Sequence, residues 1–445
     1  MVFDTLDQAI HAFEVLSAGS NARSFSELVL KFFPFVLLLE LPLYLLVVAG
    51  IARYGVRRLR RDQQREKYPS VSCLITCYSE GDDVSKTIGS LAHQMYRGHI
   101  EIIALIDGAV QNKDTYLAAT SSLAAVNALP NRRLIVLPKW QRGGRVSSLN
   151  AGLSIATGEV VMALDGDTSF DNDMVAQATR HFDDPNVVAL AGCLRVRNAA
   201  DSLVARLQAL EYMLSIGAGK TGLAEFNIIN NISGAFGVFR TSFIRNMGGW
   251  DAGTAEDLDI TMRIKQYFGQ NPKLRIAFEP HAVGHTDAPT SWRVFFRQRL
   301  RWDGDLYYLF VRKYLQNIRP GLLGWRNFLF TLVNGFLMQV IMPFFIVFYT
   351  GLMLWYLPLG SVLGVLAFVY LIYLASVILF FLLYVVAISE RPGQDIGYVV
   401  FLPLVPLFAF ATRVNSALSL LQEAVLKSHL DSSMAPWWVL KKTKF

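Results

Sequence analysis

Two long apolar stretches frame this chain. One covers residues 28–51 and the other residues 327–427, with sequence of ordinary globular composition between them. That layout excludes a wholly water-soluble fold. Of 445 residues, 53% are hydrophobic and only 17% charged, and the mean hydropathy is +0.34, too apolar for a surface that faces water alone. The middle stretch is long enough to bury a core of its own. The expected architecture is therefore a globular domain inserted between transmembrane α-helices.

Residues 28–51 suffice to cross a hydrocarbon layer of ~30 Å as a helix. Glu40 interrupts them, and an acid at that depth must face protein or water; a partner on another helix and a looser interfacial placement both satisfy this. Arg53, Arg57, Arg58, Arg60, Arg61, Arg65 and Lys67 follow. Basic residues that abut an apolar span read as a positive-inside anchor, which puts the next domain in the cytosol of an inner (plasma) membrane. The net charge of +7 is thereby assigned to the lipid bilayer, and no nucleic acid partner is expected. Residues 1–21 carry Asp4, Asp7 and Glu14 and no basic lead, so they are not a secretory signal. Ile10, Phe13, Val15 and Leu16 suit a short amphipathic helix on the membrane.

Residues 328–356, 361–388 and 396–426 could each span once, with Pro343, Pro403 and Pro406 as kinks. Three crossings after a cytosolic domain would leave Lys441, Lys442 and Lys444 outside, against the positive-inside tendency. One of these stretches is therefore a candidate for a re-entrant or interfacial placement. The divisions that follow are 1–67, 68–288, 289–320, 321–430 and 431–445. Cys73, Cys77 and Cys193 are the only cysteines; a sparse, odd count fits reduced thiols and no zinc site.

Within 68–288, residues 71–77, 100–106, 134–137, 160–164 and 187–194 read as strands. Residues 83–94, 146–156 and 174–182 read as helices between them. This alternation predicts a mostly parallel, doubly wound α/β sheet. Ligands on such sheets gather beyond the carboxyl ends of the strands, and Asp107 and Asp165 both sit there.

Asp165 and Asp167, one residue apart after an apolar run, offer hard oxygen ligands of the kind that hold Mg²⁺ or Mn²⁺ together with a substrate's phosphate oxygens. An isolated Asp-x-Asp is more often a solvated turn, as is expected of Asp171 and Asp173. Asp107 could accept hydrogen bonds from a base or ribose, and Tyr78, next to Glu80, could stack on a base; a strand cap and a core ring are the plainer readings. Gln141-Arg142-Gly143-Gly144-Arg145 is a basic glycine turn entering a helix, which suits phosphate or is simply a surface turn. Glu256-Asp257 opens a helical pattern as an N-terminal cap or as a proton-accepting pair. Gln298 and Arg301 share a helix face, with Trp302 beside them. Arg301 could bind departing phosphate and Trp302 a sugar face. A membrane-facing aromatic and basic helix over 290–316 also accounts for them. Asn231-Ile232-Ser233 is a sequon by pattern only, and His285 reads as a structural hydrogen-bonding residue.

Taken in order, Tyr78-Ser79-Glu80, Asp107-Gly108, Gly143-Gly144-Arg145, Asn150-Ala151-Gly152, Asp165-Gly166-Asp167, Glu256-Asp257 and Gln298-Arg299-Leu300-Arg301-Trp302 resemble the motifs of processive family-2 glycosyltransferases, which include cellulose, chitin, hyaluronan and poly-N-acetylglucosamine synthases. The likeness runs from about residue 28 to 426. It implies a GT-A fold, an inverting mechanism and a nucleotide-sugar donor, UDP-linked by preference. It further implies that Tyr78, Glu80 and Asp107 hold the nucleotide, that Asp165 and Asp167 hold nucleotide and metal, and that Arg145, Gln298 and Arg301 bind diphosphate. Asp257, with Glu256, would be the base, while Ser233, Gly234 and Trp302 would border the acceptor, and the membrane helices would carry the growing glycan.

The pattern departs at Arg145, where lysine is usual, at Thr254-Ala255 before Glu256, and at Asp303-Gly304-Asp305, where small residues are usual. The size most resembles poly-β-1,6-N-acetylglucosamine synthases, with β-glucan and other exopolysaccharide synthases close behind. No C-terminal stretch is long enough for a cyclic-di-GMP-binding module, so regulation, if any, would need a separate membrane or regulatory subunit. A single-addition enzyme acting on a lipid carrier usually lacks the Gln-x-x-Arg-Trp helix, and a non-enzymatic membrane protein leaves the cytosolic acids unexplained.

Overall fold

The computed structural model describes residues 4, 7, 8, 10, 36–59, 67–251 and 255–427. Most of the expected amphipathic stretch over 1–21, the start of the 28–51 segment and the three tail lysines lie outside the described residues.

Eight strands form one sheet: β1 (Val71–Cys77), β2 (Ile100–Asp107), β3 (Arg132–Lys139), β4 (Val160–Asp165), β5 (Ser169–Phe170), β6 (Val187–Val196), β7 (Phe236–Arg240) and β8 (Arg275–Thr286). Their order is β3-β2-β1-β4-β7-β6-β8-β5. The first four are parallel. β7 runs antiparallel to both β4 and β6, whereas β8 is parallel to β6. The doubly wound half is as the sequence predicts, and the other half is mixed. β1 and β2 read as unbroken buried runs because both their faces are covered. The helix Gly144–Ile155 lies so close on them that a Cβ at Gly152 would come within 2.9 Å of Leu105. Strand order reverses between β1 and β4, which opens a crevice at their carboxyl ends.

Beyond the sheet, the helical run Leu203–Tyr212, Met213–Lys220 and Thr221–Glu225 forms the domain's platform for the membrane helices. The helix Leu41–Leu59 docks on it through two glycines: a Cβ at Gly50 would lie 2.1 Å from the Gly222 carbonyl. Arg57 pairs with the buried Glu225 at 2.6 Å, so part of the basic run is fixed to protein. Glu40 accepts a hydrogen bond from Tyr373 at 3.0 Å, which gives that acid a partner on another helix.

Among the described residues four helices are long and apolar enough to cross a membrane: Leu38–Leu59, Pro320–Tyr356, Leu359–Ala387 and Pro392–Leu426. The last keeps protein contacts along its length, first with β6 and the platform helices and then with the helices of residues 292–313. Asp395 accepts from Arg195 of β6 at 2.8 Å, and the Phe401 ring carries Arg206 at 5.2 Å. Phe408 meets Phe295 at 5.1 Å, Ser416 donates to Asp303 at 2.7 Å, and the Glu423 carbonyl accepts from Arg312 at 3.2 Å.

Candidate active site

The crevice is built first from strand-end acids. Thr76 and Asp165 are register partners on β1 and β4. After β1 the chain turns sharply, with Ser79 and Gly81 at positive φ. This folds Glu80 back onto Gly166, where a Cβ would come within 3.1 Å of the Glu80 carboxyl carbon. A Cβ there would also lie 3.0 Å from the Thr76 carbonyl oxygen, so a larger residue between Asp165 and Asp167 would require its neighbours to shift. Burial, and then the neighbouring Asp165, raise the Asp167 carboxyl above its usual range. Burial pushes Glu80 up to about 7, with Asp167 and Asp165 adding like charge. Glu80 Oε2 is buried without a hydrogen-bond partner among the described residues. Crowded, partly orphaned carboxylates of this kind fit a divalent cation. Among the described residues no three acidic, histidine or cysteine side chains are grouped to hold a metal alone, so a cation would share its ligands with a donor phosphate.

Arg145 joins this edge to a second acidic element. Its Nη1 donates to Thr76 at 2.6 Å and to Asp165, and its Nη2 donates to the Gly234 carbonyl at 2.5 Å. Its Nε lies 2.7 Å from Glu256. The sequence suggested a phosphate ligand; the guanidinium lines the cavity but spends most of its donors on protein acceptors. Glu256 and Asp257 begin the helix Glu256–Lys265, where acids favour the N-terminal dipole. Burial holds the Glu256 carboxyl above its usual range, with Arg145 acting against the shift. Asp257 is held by its neighbour Leu258 N at 2.8 Å and by the Asn231 amide at 3.2 Å.

Asp107 is similarly engaged. Its carboxylate accepts from Lys139 at 2.8 Å and from the amides of Gly143 and Gly144 at 2.8 and 2.9 Å. The exposed Tyr78 ring carries the Arg142 guanidinium at 4.1 Å, on a face where a base could stack. One loop, residues 139–144, thus covers both expected nucleotide contacts.

The helix Trp292–Tyr307 closes the other side. Ser291 caps it by accepting from Val294 N. Gln298 accepts from Gln208 at 3.3 Å. Arg299 pairs with Glu211 and lies 5.0 Å from the Trp302 ring centre. His285 takes the structural place expected of it, 2.9 Å from Asp171. Asp171 also faces Arg391 at 3.6 Å, so it is not the free turn acid the sequence suggested.

One cavity of about 730 Å³ is lined by all thirteen residues drawn from the sequence: Tyr78, Glu80, Asp107, Arg145, Asp165, Asp167, Ser233, Gly234, Glu256, Asp257, Gln298, Arg301 and Trp302. It also takes in Asn231, which the sequence marked only as part of a sequon, and Lys220, Thr331, Asn334 and Gln339, which the sequence reading passed over. The signal of those four was faint: one lysine in an apolar run, and three polar residues within an apolar span.

The family "Glycosyltransferase like family 2" matches residues 69–304. Among curated proteins, the chain is similar to poly-beta-1,6-N-acetyl-D-glucosamine synthase of Staphylococcus aureus (strain MSSA476), 25% identical over 283 residues, covering 61% of this chain and 65% of that protein. The namesake from Staphylococcus epidermidis is 27% identical over 268 residues, 59% of this chain and 61% of its own. The chain thus spans less than two thirds of these relatives' length. Among solved structures, the fold is similar to the mannosyltransferase PcManGT from Pyrobaculum calidifontis in complex with GDP-Man and Mn²⁺, with a TM-score of 0.51 at 16% identity, covering 86% of this chain and 99% of that one. With the family match spanning more than half of its residues, the chain belongs to glycosyltransferase family 2 and carries a GT-A-like domain between membrane helices.

Proposed function

We propose that the chain is an inverting, processive glycosyltransferase of the plasma membrane. In this reading it polymerises a UDP-sugar into a β-linked exopolysaccharide, poly-N-acetylglucosamine being the leading product, and passes the chain across the bilayer. The observation that carries this reading is continuity: the cavity that holds the acids and the Gln298-to-Trp302 face also reaches Thr331, Asn334 and Gln339 on the helix run Pro320–Tyr356. Polar side chains inside an apolar span are costly unless they face a wet path, and a sugar chain requires one.

In this mechanism Tyr78, Asp107 and the 139–144 loop hold the nucleotide after Arg142 leaves the Tyr78 ring. Asp257 accepts the proton of the attacking hydroxyl, and Arg301 binds the departing diphosphate. In-line displacement turns an α-linked donor into a β linkage. Ser233, Gly234 and Trp302 border the acceptor. Asp165 and Asp167 would hold Mg²⁺ or Mn²⁺, and such a cation neutralises charge on the diphosphate.

The membrane arrangement follows from the last helix. A helix that crossed ~30 Å of hydrocarbon would leave the cytosolic domain and its interfacial helices within a few turns, whereas Pro392–Leu426 touches one or the other from Asp395 to Glu423. We infer three crossings, with Pro392–Leu426 lying at the cytosolic interface. Cysteines replacing Pro358 and Lys427 test this: an impermeant maleimide added outside labels the first only, and external labelling of the second overturns it.

The function is tested with a donor screen. Membranes bearing the full chain receive each labelled UDP- and GDP-sugar with Mg²⁺ or Mn²⁺, and the product is cut with linkage-specific hydrolases. A long β-linked polymer is expected. Single-sugar addition to lipid rejects processivity, and failure with every donor rejects the reading entirely.

A further inference from the structure

Lys220 is a lysine where the fold least tolerates one. It ends the helix Met213–Lys220, its residue is 3% exposed, and its side chain lines the cavity. Its Nζ donates to the Asn231 carbonyl at 2.9 Å. The Asn231 side chain in turn donates to Asp257 at 3.2 Å. Lys220 therefore stands one residue away from the group assigned as the base.

An ammonium has three N–H donors. The Asn231 carbonyl takes one, and among the described residues no carboxylate lies within ion-pair distance of Nζ. Burying such a charge costs several kcal/mol unless its remaining donors are met. The cavity is the place where a ligand can meet them. Neighbouring lining groups are Asn230, Asn231 and Ser233, neutral amides and a hydroxyl that suit a sugar's oxygens better than a phosphate.

Resting on Asp257 as base, we propose that Lys220 is an acceptor-binding residue: its free N–H groups hold the oxygens of the terminal pyranose while Asn231 aligns Asp257 with the attacking hydroxyl. The ionisable groups facing Lys220 are Asp257 and the Cys193 thiol of β6, while Arg145 and Glu256 act on Asp257 from its other side. Burial lowers Lys220 to about 8, with Asp257 and Cys193 acting against the shift. It is charged at neutral pH and loses its proton as the solution turns alkaline.

The test uses the full chain in detergent or nanodiscs, UDP-N-acetylglucosamine as donor, and a β-1,6-linked N-acetylglucosamine tetramer as acceptor. Lys220→Gln should raise the acceptor KM by roughly 10- to 100-fold, the weight of one hydrogen bond from a charged donor, with donor KM and UDP affinity unchanged. Lys220→Arg should restore much of the acceptor affinity and move the alkaline fall in activity to higher pH, which a merely structural lysine would not do. Unchanged UDP affinity in both variants shows that the domain is folded. An unaltered acceptor KM in Lys220→Gln, or a parallel rise in donor KM, overturns the proposal for Lys220 alone. A wild-type chain that turns over no UDP-N-acetylglucosamine overturns the wider reading and this one with it, and an inactive Asp257→Asn beside an unaffected Lys220→Gln keeps the base and rejects the lysine.

Discussion

Arg145 offers the sharpest test of how the site is held together. Its side chain is 8% exposed and touches β1 at Thr76, β4 at Asp165, the Gly234 carbonyl before β7 and Glu256 at the head of a helix. Arg145→Met leaves Asp165 and Glu256 without their cation. Breaking a buried pair in this one-sided way costs about 3–5 kcal/mol. A domain of this size loses roughly 2–4 °C of its midpoint per kcal/mol, so the unfolding midpoint should fall by roughly 6–20 °C. The assay is thermal unfolding of the purified full chain without nucleotide. Arg145→Lys keeps the charge but not the planar fork and should fall less. Adding Glu256→Gln to Arg145→Met removes one stranded acid and should recover part of the loss, since residues in one network do not act additively. The opposite outcome is clear. If Arg145→Met unfolds at the wild-type temperature while its UDP affinity drops, the guanidinium is a phosphate ligand and not a bracket between acids.

Three further outcomes are expected. Asp257→Asn should bind UDP as wild type does but lose roughly 10²–10⁴-fold in transfer; wild-type turnover would remove it as the base. Gly222→Leu drives a side chain into the Val47 carbonyl, 2.4 Å from the position of a Cβ, and should cost about 1–3 kcal/mol by overpacking; an unchanged unfolding midpoint would mean that the first membrane helix does not dock there. Lys265, 2% exposed and over the Phe330 ring at 5.6 Å, is lowered by burial to about 7 from 10.5. Between those values the unfolded chain binds more protons, so this group makes stability rise with pH above about 7 and imposes its full penalty below it. Lys265→Met should raise the midpoint at pH 6 and flatten that slope, and a lower midpoint at pH 6 would contradict the reasoning.

The parallel half of the sheet is written plainly in the sequence because β1, β2 and β4 are buried on both faces, which forces continuous apolar runs. β7 and β8 are not. β7 is five residues with Gly237 inside it. β8 carries Glu279, His281 and His285, which break any strand pattern until their partners are known: His181 at 2.8 Å, Glu390 at 2.5 Å and Asp171 at 2.9 Å. A polar residue with a distant partner looks exposed in a one-dimensional pattern, because pairing that removes its desolvation cost leaves no local periodicity.

The same physics explains which part of the site was legible. Asp107, Asp165 and Asp167 stand at strand ends, where topology alone directs them to the crevice. Gln298, Arg301 and Trp302 share one helical face, so spacing alone groups them. Lys220 and Asn231 have no such local marker, and their meaning depends on how far Asp257 lies from them in space. Arg145 shows the converse. A basic residue in a glycine turn at a helix start points to a phosphate by local rules, yet the fold surrounds it with Asp165 and Glu256. A diphosphate drawing the guanidinium toward itself would strain contacts that hold β4 to the helix Glu256–Lys265. Donor binding at Arg145 and the alignment of Asp257 would therefore compete, whereas binding at Arg301, which is exposed and outside that network, leaves the alignment intact. That contrast is the physical reason to assign the leaving group to Arg301.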